Sequence, residues 1–328
     1  METIVSHPSP YDPVEYFADI YQAVFRAVES VLHGKPDAVR LALTGLFAGG
    51  HLLVEDVPGV GKTTLARAIA GCLDATWHRI QFTPDLLPSD ITGTNVYDLR
   101  TGAFDFRPGP VFAHLVLADE INRASPKTQS ALLEVMEERQ VTVDGRAYPV
   151  PLPFYVVATQ NPVDLEGTYR LPEAQLDRFL LRIAVGYPDL AAETEILTGR
   201  ASSGAAVSPS AVATVEQVRW MREYSARVHV AQPVAGYIAA LAQATRTRPE
   251  LRLGASPRAS LGLMSAAQVW AAADGRGYVT PDDVRALTGP VLAHRLLLDS
   301  AAEIRGVRVE DVLAEVVATV PVPALDTV

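Results

Sequence analysis

A chain of 328 residues with 48% hydrophobic and 20% charged residues is long enough for two domains and has the balance of an ordered protein. Its net charge of -10 argues against a general attraction to nucleic acid or to an anionic membrane. The single cysteine, Cys72, excludes an intramolecular disulfide, and no run of about 18 apolar residues predicts a membrane span. We therefore expect a cytoplasmic protein without nucleic-acid partners or membrane insertion.

The N-terminal residues 1–16 contain prolines and Glu2 in place of a basic segment and an apolar core. We interpret them as a flexible extension and not as a signal peptide. Apolar residues at helical spacing run from Val14 to Leu32.

Five apolar runs come next, and helical segments fill most of the gaps between them. The runs are His51–Val54, Thr76–Phe82, His114–Ala118, Phe154–Ala158 and Phe179–Val185. Strands that are apolar on both faces and alternate with helices are typical of a parallel sheet covered by helices. We therefore predict an α/β fold with a parallel five-stranded sheet.

Two of the gaps alternate apolar and polar residues around a turn signal, which predicts a β-hairpin in each. The first is Asn95–Pro110, with Gly102 in its turn, and the second is Gln140–Val150, with Gly145 in its turn.

Beyond Pro188 the chain becomes Ala-rich and helical. We predict an α/β domain over 17–188 and an α-helical domain over 189–328. An N-cap residue before a proline predicts three helix starts in the second domain, at Ser208-Pro209, Ser256-Pro257 and Thr280-Pro281.

The segment His51–Ala70 has the order strand, Gly-rich turn, helix, which is typical of a phosphate-binding loop. Gly59 and Gly61 would let backbone N–H groups surround phosphate oxygens. Lys62 would reach the outer phosphates, and the Thr63 hydroxyl would ligate Mg²⁺. The strict pattern has Gly where this chain has Asp56, and a strand–turn–helix with a surface lysine is the alternative.

A second apolar strand ends in Asp119 and Glu120. The first carboxylate can hold Mg²⁺, and the second can orient and deprotonate the water that attacks the terminal phosphate. Adjacent acids can also be solvated loop residues, but their place after a phosphate-binding loop favours the catalytic interpretation.

Three further polar residues follow in positions that suit phosphate chemistry. Asn161 ends a buried strand, where its amide could hydrogen-bond the γ-phosphate and water, although Asn-Pro is also an ordinary turn start. Arg178, like Arg170, could point into a neighbouring subunit's site, or it could pair with a nearby acid on the surface. Arg258 would stand in the first turn of a helix, where a cation opposes the dipole, so binding a phosphate would explain it better than a surface position does.

Taken in order, these segments resemble the MoxR family of AAA+ ATPases, from about Phe17 to Pro323. The most specific pieces are Arg79–Gly93, Phe106–Gly145 and Gly167–Phe179. The resemblance implies an AAA+ P-loop core followed by a helical lid, with a helix-2 insert and a pre-sensor-1 hairpin at the two predicted hairpins.

By position, the resemblance implies roles for individual residues. Asp119 would be the Walker B metal ligand beside Thr63, and Glu120 the catalytic base. Asn161 would be sensor 1, Arg178 the arginine finger and Arg258 sensor 2. The segment from Val31 to Gly34 would lie against adenine. The Walker A loop would consist of Asp56, Val57, Pro58, Gly59, Val60, Gly61, Lys62, Thr63 and Thr64.

The resemblance also implies Mg²⁺-dependent ATP hydrolysis in a homo-hexameric ring. Each site would combine the loop, base and sensors of one subunit with Arg178 of the next. The work would be chaperone-like: remodelling or maturing a separate protein, including metal or cofactor insertion into a partner with a von Willebrand factor A domain.

Three alternatives stay open at this point. They are a motor stimulated by nucleic acid, a regulatory scaffold that binds ATP with little hydrolysis, and a magnesium-chelatase-type motor subunit. The acidic composition argues against the first, and Glu120 and Arg178 argue against the second.

Overall fold

The computed structural model describes residues 12–161, 168–203 and 209–323. Its helices are α1 Pro13–Glu29, α2 Pro36–Phe47, α3 Lys62–Cys72, α4 Pro88–Thr92, α5 Pro126–Glu138, α6 Glu173–Leu176, α7 Leu190–Ser203, α8 Val215–Ser225, α9 Gln232–Arg246, α10 Pro257–Ala273, α11 Pro281–Leu292, α12 Ser300–Ile304 and α13 Val309–Thr319. Its strands are β1 Leu52–Glu55, β2 Leu73–Asp74, β3 Trp77–Gln81, β4 Gly93–Asp98, β5 Ala103–Pro108, β6 Leu115–Asp119, β7 Gln140–Val143, β8 Arg146–Pro149, β9 Tyr155–Gln160, β10 Leu181–Ile183, β11 Ala213–Thr214, β12 Leu251–Leu253 and β13 Leu297–Leu298.

The predicted parallel sheet is confirmed. Its five strands lie in the order β10-β1-β9-β6-β3, and every neighbouring pair is parallel. Alternate residues of β1 face opposite sides of the sheet: Leu52 and Val54 belong to one buried core, and Leu53 belongs to the other. Because both faces are covered at the inner strands β1, β6 and β9, these could be recognised as continuous apolar runs, whereas the edge strand β3 is mostly exposed.

The two predicted hairpins are also confirmed, as β4–β5 and β7–β8. Asp144 and Gly145 both have positive φ, 49° and 75°, as a tight two-residue turn requires. The hairpins touch each other, because the Phe106 and Tyr148 rings stack with their centroids 4.0 Å apart.

Helix α1 begins earlier than the sequence suggested. The Asp12 side chain accepts a hydrogen bond from the Val14 N–H and caps the helix, which starts at Pro13. Residues 13–16 are therefore the first turn of α1 and not part of a flexible extension. The predicted extension otherwise falls on 1–11, which lie outside the described residues.

The region after Pro188 is helical, as predicted, with three short strands that the sequence pattern did not indicate. Ser256 and Thr280 cap α10 and α11 as predicted. The third predicted start is wrong: Ser208 lies outside the described residues, and residues 209–212 are not helical. The reason is that β11 pairs with β2, so α8 begins only at Val215.

The helical domain packs firmly against the α/β domain. One buried core includes side chains of α1, α2 and α3 together with side chains of α10 and α11. In the part of the chain that the structure describes, no helix is both long and apolar enough to cross a membrane.

Candidate active site

The phosphate-binding loop runs from the end of β1 to the start of α3. Gly59 and Gly61 have φ of +85° and +100°, a left-handed conformation that favours glycine. A Cβ at Gly59 would meet no atom within 4 Å, so the loop is open to a ligand there. Pro58 is also exposed, Val60 is buried, and Val57 and Thr64 are half-buried. Helix α3 begins at Lys62, directly after this loop, and the amino end of a helix favours an anion.

The segment Val31–Gly34, expected beside adenine, lies next to this loop. A Cβ at Gly61 would come within 3.1 Å of the Leu32 Cδ1 atom, and one at Gly34 would come within 2.8 Å of the Ala192 Cβ atom in α7. The segment is therefore enclosed between the phosphate-binding loop and the first helix of the second domain.

The Lys62 side chain is bonded to backbone at the start of the loop and at the end of β9. Its Nζ donates to the backbone carbonyls of Asp56 and Gln160, at 2.5 and 3.2 Å. The ammonium group thus lies at the carboxyl ends of β1 and β9, two neighbouring inner strands.

Asp56 is the residue that departs from the strict motif, and its carboxylate has defined partners. One oxygen accepts the Val57 N–H at 2.7 Å, and the other accepts the N–H groups of Val185 and Gly186 at 2.8 and 2.6 Å. Asp56 therefore ties the loop to the chain that leaves β10, a task that glycine cannot perform.

The two predicted metal ligands lie side by side. The Thr63 Oγ1 is 3.4 Å from the Asp119 Oδ2, and Asp119 is buried at the end of β6. Arg79 donates to the same carboxylate oxygen at 2.7 Å, and Thr159 donates to the other oxygen at 2.6 Å. Ion pairing and hydrogen bonding keep this buried carboxylate in a fixed position.

Glu120 follows in a left-handed conformation with φ of 58°, which is unusual for a residue with a side chain. Its N–H donates to the Thr159 Oγ1 at 2.8 Å, and its Oε2 contacts Gln81 at 3.0 Å and Arg123 at 3.2 Å. The Glu120 carboxylate therefore has different side-chain partners from that of Asp119, so two adjacent acids can perform different tasks.

Asn161 is buried immediately after β9, beside the same edge of the sheet. Its backbone carbonyl accepts a hydrogen bond from the Asn122 side chain at 3.2 Å. The buried side-chain oxygens of Asn122 and Gln160 accept no hydrogen bond from the described residues. This edge therefore keeps unused acceptors close to the loop.

Arg178 and Arg258 lie elsewhere, and they share one partner. Each donates to a different oxygen of Glu137, at the end of α5, with both contacts at 3.0 Å. They line a cavity of about 280 Å³ with His51 and Leu180, which directly precede β1 and β10. They therefore lie at the amino ends of the strands, whereas the loop lies at the carboxyl ends. Four residues of β1 span about 13 Å, so the structure does not bring Arg258 to the loop of its own subunit.

Two residues of the site were missed by the sequence reasoning, Arg79 and Thr159. Arg79 stands in the middle of β3 and Thr159 near the end of β9, and only the pairing of these strands with β6 places them beside Asp119. Arg170, the other arginine considered before the last strand, has an exposed side chain.

Two family models match the chain in the expected places. That of the ATPase family associated with various cellular activities (AAA) matches residues 51–181, and that of the AAA lid domain matches residues 243–316. A crystal structure of a proposed ATPase from Cytophaga hutchinsonii is 37% identical, with a TM-score of 0.88 over 95% of this chain and 97% of that one. The fold and the loop define an AAA ATPase core with a helical lid.

Relatives that match over most of their own length show which family of AAA ATPases the chain resembles. The chaperone MoxR1 of Mycobacterium tuberculosis is 42% identical over 98% of this chain and 88% of its own length. The protein MoxR of Methylorubrum extorquens is 33% identical over 91% and 94%, and YeaC of Bacillus subtilis is 46% identical over 94% and 97%. The chain belongs to the MoxR family of AAA+ ATPases.

Proposed function

We propose that this protein hydrolyses ATP to ADP and phosphate in a Mg²⁺-dependent reaction, within a ring whose subunits share their active sites. The observation that carries the proposal is the meeting of Lys62, Thr63, Asp119 and Glu120 at one edge of the sheet. These residues are the parts that phosphoryl transfer to water requires.

The residues at this edge fit a nucleotide and a magnesium ion. The loop from Gly59 to Thr64 would hold the phosphates through its backbone N–H groups, and Lys62 would contact the outer ones. Thr63 and Asp119 offer the hard oxygen ligands that Mg²⁺ prefers. When bound, the ion neutralises charge on the phosphate oxygens.

Glu120 would orient the attacking water and accept its proton. Its backbone is held by Thr159, and its Oε2 is held by Gln81 and Arg123, so the carboxylate has a defined direction before substrate arrives. Asn161 would hydrogen-bond the terminal phosphate from the neighbouring strand end.

Arg178 and Arg258 would serve the site of a neighbouring subunit. They lie together on the edge opposite their own loop, and Glu137 holds them side by side. A pair of guanidinium groups suits the negative charge that develops on a phosphoryl group in transfer. We therefore assign both arginines to the same trans role, which differs from the expectation that Arg258 completes its own subunit's site.

A site divided between subunits requires a head-to-tail contact between them, and a homo-hexameric ring is the closed assembly of this kind that we propose. We propose chaperone-like work for the ring, remodelling or maturing a separate protein. One relative is named a chaperone. A partner with a von Willebrand factor A domain, loaded with a metal or cofactor, is our specific candidate.

The test is the mass of the assembly by light scattering, with ATP and Mg²⁺, for wild type beside Glu120→Gln. We expect the variant to bind ATP, to hydrolyse almost none and to accumulate as a nucleotide-dependent ring. Rapid turnover in the variant would refute the role of Glu120. A monomer that binds ATP would refute self-assembly, and turnover that rises only with added DNA would favour a nucleic-acid motor.

A further inference from the structure

The carboxylate of Asp56 joins the nucleotide loop to the chain between the two domains. Its Oδ2 accepts the N–H groups of Val185 and Gly186, the residues that leave β10 on the way to α7. Gly186 has a φ of +70°, and the Tyr187 carbonyl that follows it accepts a hydrogen bond from Lys35. The backbone at this connection is therefore held by specific side chains and not by packing alone.

Asp56 is also bonded to the parts of the loop that respond to phosphate. Its carbonyl accepts the Lys62 Nζ at 2.5 Å, and its N–H donates to the Gln160 carbonyl at 3.2 Å. A phosphate chain in the loop attracts Lys62 more strongly than a neutral carbonyl does. A move of Lys62 towards phosphate would release the Asp56 carbonyl while its carboxylate still holds the connection.

The other end of β10 is bonded to the helical domain. The Phe179 carbonyl, just before the strand, accepts hydrogen bonds from His294 at 2.9 Å and from Arg295 at 2.8 Å. Arg182, within the strand, contacts Glu310 at 3.4 Å. A displacement at residues 185–186 would therefore act on a strand that the helical domain also holds.

We propose that Asp56 is a positioning residue that transmits occupancy of the nucleotide loop to residues 185–186 and from there to the helical domain. The proposal rests on the ATP binding proposed above. It also explains the departure from the motif. Glycine at position 56 would allow the loop to form, but it would remove the Asp56 carboxylate. Among the described contacts of residues 185 and 186, that carboxylate is the only side-chain group of the loop.

The test is amide hydrogen exchange at Val185 and Gly186 in the full chain, with and without a non-hydrolysable ATP analogue and Mg²⁺. The variants are Asp56→Asn, which keeps the shape but only one acceptor oxygen, and Asp56→Gly, which restores the motif. Asp74→Asn removes an equal charge from an exposed position and serves as the matched control.

In wild type and in Asp74→Asn, we expect the analogue to change the exchange rate of these two amides. In both Asp56 variants, at analogue concentrations that saturate the loop, we expect that change to be lost. We also expect kcat to fall more than KM rises, because the loop still binds while the coupled movement fails.

Two results would overturn the proposal. One is an analogue-dependent change of the same size in the Asp56 variants as in wild type. The other is complete loss of analogue binding in both variants, which would make Asp56 part of the binding site and not a link. Failure of wild type to bind the analogue would instead refute the proposed function.

Discussion

Thr159 is the side chain whose removal should damage the candidate site most selectively. It is fully buried, and its single hydroxyl donates to Asp119 at 2.6 Å and accepts the Glu120 N–H at 2.8 Å. Valine has nearly the same shape but lacks the hydroxyl, so Thr159→Val removes both hydrogen bonds without opening a cavity.

The cost can be estimated from these two contacts. A hydrogen bond to a charged group contributes about 1.5–3 kcal/mol, and a buried N–H left without an acceptor costs about 1–3 kcal/mol. Since one hydroxyl makes both contacts, the terms are not independent, and we expect a total loss of about 2–4 kcal/mol in the free energy of unfolding. Thr159→Ser keeps the hydroxyl and loses one methyl group, which should cost only about 1 kcal/mol.

The assay is urea unfolding of both variants, with ATP turnover measured in parallel. We expect the valine variant to unfold at a lower urea concentration than the serine variant, with an unchanged dependence on denaturant. Its kcat should fall as well, because the left-handed turn at Glu120 loses the bond that holds it. A valine variant that matches the serine variant in both stability and turnover would refute this reasoning.

Three further predictions test other parts of the structure. Lys62→Ala should abolish ATP binding measured by calorimetry, because the loop from Asp56 to Thr64 contains no other lysine. Subunits with both Arg178→Ala and Arg258→Ala should be inactive alone but should regain ATPase activity when they are mixed with Lys62→Ala subunits. A control mixture of Lys62→Ala with Glu120→Gln subunits should regain no activity. Equal recovery of activity in both mixtures would contradict the shared site. Burial lowers the pKa of His51 and His294 to about 3, so the unfolded chain takes up protons that the folded chain does not, and stability should fall below pH 6.5 by up to about 1.4 kcal/mol per pH unit for each histidine. His51→Gln should flatten this dependence in unfolding measured across pH.

Local patterns were sufficient to predict much of the fold. The inner strands β1, β6 and β9 are apolar because both faces of the sheet are buried there, so each appears as a short apolar run. The hairpins have turn residues that tolerate positive φ, as at Asp144 and Gly145. Gly59, Gly61 and Lys62 lie within four positions of one another in the phosphate-binding loop, and for that reason they could be recognised from their spacing.

The missed features depend on contacts between distant segments. Thr159 meets Asp119 only because β9 pairs with β6 in one particular register. The carboxylate of Asp56 bonds residues more than a hundred positions later in the chain. A Ser-Pro pair predicts a helix start, but the chain after Pro209 is not helical and reaches β11, which pairs with β2.

The position of Arg258 depends on how the helical domain packs, and this has a consequence for catalysis. His294 and Arg295 bond the backbone before β10, and the same packing holds α10 against the amino ends of the strands. To reach its own loop, Arg258 would have to leave Glu137 and pass the length of a strand. To reach a neighbour's loop, it needs only a subunit docked against this edge. The second route keeps the buried core intact, and under the trans role that we propose for Arg258 it would make hydrolysis depend on assembly.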